Sequence, residues 1–141
     1  MNNKNIYSQR TWLLRNIGEI KITASSSFDP INSDVINNVF TWHYNITIDN
    51  FTPNNLRLIA GRWDVFDKYG KNELQDDVLS TSLIVINKGQ SFECKNIVKL
   101  FSESGLIQGQ YSFINLQSNQ KIFVNIPTIS LDRIIKEQQW N

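Results

Sequence analysis

Cysteine is almost missing from this chain. Cys94 stands alone among 141 residues, which excludes an internal disulfide and a cysteine-based metal cluster. Histidine is equally scarce. His43 is the one imidazole, so any histidine acid, base or metal ligand would have to be that residue. Long apolar runs are absent too: none approaches the roughly 20 residues of a membrane span, and residues 1–10 contain no apolar signal-peptide core. Neither sign of charge dominates, with 14 basic and 13 acidic residues giving a net charge of +1. No overall field therefore draws the chain to nucleic acid or to an anionic membrane. These absences predict a soluble, unexported, cytoplasmic protein in a reducing compartment, with no nucleic-acid or membrane partner. Asn45 and Asn50 open glycosylation-type triplets, which carry no meaning in an unexported chain.

The length suits one domain able to bury roughly two-thirds of its unfolded surface. The clearest element lies at 39–50, where Phe40, Trp42, Tyr44, Ile46 and Ile48 share one parity, and Thr41, His43, Asn45, Thr47 and Asp49 share the other. That is a strand with one core face and one wet face. Pro53 and Asn54-Asn55 signal a turn into a second strand at 56–71. There Leu56 and Leu58 fall on one parity while Trp63 and Val65 fall on the other, so a bulge at Ala60-Gly61 is needed to bury all four.

Further strands are expected at 20–24, 79–86, 90–95, 105–114 and 121–126, with a loop over 25–38, a looser segment at 96–104, an irregularity at Gly109, and Pro127 ending the last strand. Residues 130–137 suggest a short helix capped by Ser130, with Leu131, Ile134 and Ile135 on one side. The expected organisation is an N-terminal extension (1–19, helix or added strand), an antiparallel all-β sandwich (20–131) and a tail (132–141).

One ungapped pattern runs from Trp42-His43-Tyr44-Asn45-Ile46-Thr47-Ile48-Asp49-Asn50 through a short turn to Leu58-Ile59, Arg62-Trp63 and the turn at Gly70. Lys88-Gly89-Gln90-Ser91-Phe92, Ser104-Gly105, Gly109-Gln110-Tyr111 and Ile126-Pro127 follow in order. Together they resemble the ApaG domain family. The resemblance implies an immunoglobulin or fibronectin type III-like sandwich without a known catalytic reaction. Bacterial members are associated with cobalt and magnesium resistance, and eukaryotic members serve as protein-binding domains in an F-box protein and a DNA polymerase delta-interacting protein. The chain departs from the family where a Gly-x-Gly-x-x-Gly loop is usual. Residues 75–82 hold no glycine, and Asp76 and Asp77 would repel a phosphate. Gly61 also stands where the family tends to have an arginine, and the neighbouring Arg62 projects to the opposite face.

Each residue with chemistry has a plain structural role beside it. His43 is expected as an exposed residue of the wet face, and Cys94 as a small apolar filler without an activating base. Trp42, Tyr44 and Trp63 could form a stacking platform, but alternation assigns them to the core. Glu73, Asp76 and Asp77 could hold a hard cation such as magnesium, although they lack calcium-loop spacing and suit a solvated acidic loop. Apolar residues outside the sandwich must either fold back over a sheet edge or meet another chain. The candidate partner-binding residues are Trp12, Leu13, Ile134 and Trp140 in these extensions, together with Arg62 on the sandwich itself. The expected function is a non-enzymatic module, without a cofactor, that binds a protein partner. The alternative is a small-ligand module for a divalent cation (Mg or Co) or a nucleotide or phosphate, and the sequence is compatible with a homo-oligomer.

Overall fold

The computed structural model describes residues 5–14, 18–75 and 83–133. The alternation at β3 (Val39–Asn50) buries Phe40, Trp42, Tyr44, Ile46 and Ile48 as expected. It pairs antiparallel with β2 (Gly18–Asp34) on one side and β7 (Ser91–Leu100) on the other, and β1 (Asn5–Leu14) pairs with β2. The first sheet therefore has the order β1-β2-β3-β7. The second has the order β5-β4-β8-β9, built from β4 (Leu56–Asp67), β5 (Gly70–Gln75), β8 (Ser104–Asn115) and β9 (Lys121–Asp132), and the short β6 (Ile84–Ile86) also pairs with β4. The described residues thus form an all-β fold, two antiparallel sheets enclosing one apolar core. No described helix is long and apolar enough to cross a membrane.

The bulge in β4 lies one residue earlier than expected. Leu58 pairs with Phe113 and Ala60 with Ser112, so Ile59 is the extra residue. Its consequence is the expected one: Leu56 and Leu58 are buried before it, and Trp63 and Val65 after it. Trp63 meets Tyr44 of the opposite sheet edge-on at 5.3 Å between ring centroids, and Tyr111 of its own sheet at 5.5 Å. These tilted contacts knit the two layers at mid-core.

Four expectations need correction. Residues 25–34 continue β2 rather than forming a loop, because Ser26 and Phe28 face inward opposite Tyr44 and Trp42. The irregularity follows Asp29, where its carboxylate accepts from the Ile31 and Asn32 amides at 3.0 and 3.1 Å. The segment at 96–104 is likewise more regular than expected, since β7 keeps register with β3 to Leu100. Pro127 does not end β9. Between Ile107 and Gly109, one β8 residue faces two of β9, and proline sits in that bulge, where its missing N–H is tolerated. The expected C-terminal helix is not supported, since Ser130, Leu131 and Asp132 extend β9 and pair with Leu106, Gly105 and Ser104. Burial of Ile129 and Leu131 on alternate positions favours the strand.

Candidate functional site

Arg62 lies on the outer face of the second sheet and is exposed. Strand register places it beside Gln110 of β8, which in turn faces Asn125 of β9. The Gln110 side-chain amide donates to Asn125 Oδ1 at 3.3 Å. A neighbouring row begins with Asp64 opposite Gln108. Asp64 Oδ1 is 4.0 Å from Lys71 Nζ, a contact too long to contribute much. Arg62, Asp64, Gln108, Gly109, Gln110 and Asn125 line an open groove of about 240 Å³. A second depression of about 280 Å³ shares Gln108, Gly109 and Asn125 with it and continues to Thr128 beside the β9 bulge.

Phe123 projects from the same face and is 55% exposed. It pairs with Ser112, which faces Ala60, so it stands one row from Arg62, Gln110 and Asn125. Lys121 Nζ rests 5.3 Å from its ring centroid. Phe123 is the residue that sequence reasoning missed. The signal was present, because the alternation that buries Val124 and Ile126 turns Phe123 toward water.

The other candidates are not gathered at this groove. Trp12 and Leu13 belong to β1 of the first sheet, where Trp12 is paired with Glu19 and a bulge follows. The backbone there takes the added-strand form and lies along β2. Glu73 sits on β5 opposite Asp64. Asp76, Asp77, Ile134 and Trp140 lie outside the described residues. Among the described residues, no three His, Cys, Asp or Glu side chains converge as metal ligands would.

His43 has a neighbour that the sequence did not suggest. Its Nε2 lies 2.6 Å from Asp29 Oδ2, fourteen residues upstream. Asn32 donates its side-chain amide to the same carboxylate oxygen at 2.7 Å. Hydrogen bonds from Asn32 and His43 hold the Asp29 carboxyl well below the usual carboxylate range. Cys94 faces the other way. It pairs with Ile46 and is partly buried against the core, while His43 pairs with Ile97 on the outer face. The thiol and the imidazole therefore occupy opposite faces of one sheet.

Comparison with known proteins matches residues 30–115 to the model of the ApaG domain. Protein ApaG of Bradyrhizobium diazoefficiens is 26% identical over 115 residues, covering 81% of this chain and 88% of that protein. Protein ApaG of Beijerinckia indica is 27% identical over 124 residues, covering 87% and 95%. Among solved structures, a Bordetella pertussis protein assigned as ApaA is similar with a TM-score of 0.70 at 15% identity, over 93% of this chain and 94% of that one. An X-ray structure of a structural-genomics target gives a TM-score of 0.72 at 18% identity, over 81% and 86%. At such identities, the structural likeness speaks for the fold alone.

Proposed function

The chain belongs to the ApaG domain family, and on that premise we propose that it is a non-enzymatic module, with a fibronectin type III-like sandwich, that binds a protein partner through the outer face of its second sheet. The observation that carries this reading is exposed Phe123 standing one row from exposed Arg62, whose own row partners Gln110 and Asn125 line an open groove with it. Aromatic and arginine side chains are the residues that most often anchor protein interfaces, because each offers a large rigid contact and a directional polar edge. The amides between them supply donors and acceptors without the desolvation cost of charge. A shallow, open, polar groove fits a partner's surface better than an enclosed small molecule. The opposed faces of Cys94 and His43 also argue against a thiol–imidazole pair.

The test is quantitative capture of partners by the immobilised chain, compared with an Arg62→Glu, Phe123→Ala variant whose circular dichroism is unchanged. A partner held by the parent should be depleted about tenfold or more by the variant. Equal retention of every captured protein, or saturable turnover of a substrate by the parent chain, would sink the reading.

A further inference from the structure

Among the described residues, three of the four sheet edges carry a device that blocks a further strand. β5 and β6 are only six and three residues long. β9 has a bulge and Pro127, and β1 has a bulge after Trp12 and packs near β9. The edge at β7 has none of these. It is ten residues long, without proline, and its register with β3 runs unbroken from Leu100 to Ser91.

Two hydrogen bonds establish which backbone groups that edge offers. Asn50 N donates to the Gln90 carbonyl at 3.0 Å, and Phe51 N donates to the Glu19 carbonyl at 2.9 Å. Even-numbered residues of β3 thus bond toward β7 and odd-numbered ones toward β2, so Ser91, Glu93, Lys95, Ile97 and Lys99 turn their N–H and C=O groups away from the sheet. Their side chains are exposed on the outer face, and Ile97 is 61% accessible.

We propose that β7 pairs antiparallel with β7 of a second copy of this chain, with Glu93 opposite Lys99 and Lys95 opposite Ile97 about a two-fold axis at Asn96. These backbone groups, without a strand partner among the described residues, admit only registers that match odd residues to odd residues. A shift one way sets Lys95 against its own copy. The opposite shift sets Lys95 against Lys99. Sliding further toward the N-terminus pairs Glu93 with Lys95 but runs Lys99 into the turn at Gly89, where the strand has ended. The proposed register gives two Glu93–Lys99 pairs and lays the Lys95 stem over Ile97. Beneath it, Phe92 meets Leu100, Cys94 meets Val98 and Asn96 meets its own copy, so no inward charge is buried. Phe92 and Cys94 are now only partly buried. A cleft of about 200 Å³ between Val65 and Asn72 of the second sheet and Ile97, Val98 and Lys99 of β7 leaves room beside them. The contact is isologous and closed, so it makes a dimer rather than a fibre.

Sedimentation equilibrium of the full chain from about 1 μM to about 1 mM tests this. The parent should dimerise reversibly. Ile97→Pro removes an outward N–H without touching the ladder to β3 and should weaken the dimer at least about tenfold. Glu93→Lys should weaken it about tenfold, and Glu93→Lys combined with Lys99→Glu should restore it to within about threefold. The charge variants leave the backbone intact, so they decide the question even if Ile97→Pro unfolds. A parent that stays monomeric, a dimer indifferent to Glu93→Lys, or a double variant that fails to recover would each overturn the proposal.

Discussion

Trp63 lies across the bare α-carbon of Gly109, its strand-register partner: a β-carbon at Gly109 would come 2.8 Å from Trp63 Cε3, 2.7 Å from the Arg62 carbonyl and 2.9 Å from Ile126 Cδ1. Backbone stands on one side of that position and two packed core residues on the other, so nothing yields cheaply. Gly109 also lines the polar groove. Core packing and the outer surface therefore meet at one residue.

Gly109→Ala should destabilise the chain by about 2 kcal/mol through overpacking. Urea denaturation would show it as a lower midpoint at an unchanged slope. An unaltered midpoint would mean that Trp63 can move aside, and that the contact is looser than its geometry indicates.

Asn50 should be the most costly polar residue to remove. It is fully buried, its amide donates to the carbonyls of Asn54 and Ile86 at 2.9 Å each, and its Oδ1 accepts from Thr52 N at 3.0 Å and Thr52 Oγ1 at 2.6 Å. Asn50→Ala removes all four bonds from a buried site, leaving Thr52 Oγ1 and the Asn54 carbonyl only their mutual bond at 3.0 Å, and should cost about 3 kcal/mol, measured against Asn45→Ala on the outer face as a control. A cost equal to that of the control would contradict the network. The glycosylation-type triplet at Asn50 is thus a structural turn with its amide already spent.

Acid should loosen the turn that closes β2 onto β3. The Asp29 carboxyl is held below its ordinary 3.8 by Asn32 and His43. A depressed carboxyl contributes stability that is present above its unfolded value and is lost as pH falls through its folded value. The stability difference between the parent and Asp29→Asn should therefore shrink as pH falls below about 4. A difference that stays flat to pH 2 would show that the carboxylate's charge is not what holds Ile31, Asn32 and His43 in place.

Local pattern reached far into this fold. The parity of β3 was readable residue by residue, and the clash of parity in β4 called for a bulge that appears at Ile59, one place early. The same logic could have found Phe123, whose neighbours at 122 and 124 alternate inward. It failed where local cues competed. Asp29-Pro30 and the serines of 25–27 signal a loop, yet Phe28 has Trp42 to pack against at 5.4 Å. Ser130 resembles a helix cap, yet Leu131 and Ile129 fill the core from a strand.

By itself, the sequence determined which side of β3 and of β4 is apolar and that the chain folds as paired strands, since alternation with a period of two needs only neighbouring residues. Only the tertiary structure decided that Arg62 and Phe123 share one face with Gln110 and Asn125, that His43 meets Asp29, and that β7 is left at an edge. Those outcomes depend on which distant strands pair and in what register. Register is set by the summed burial of whole strands, and no local window contains that sum.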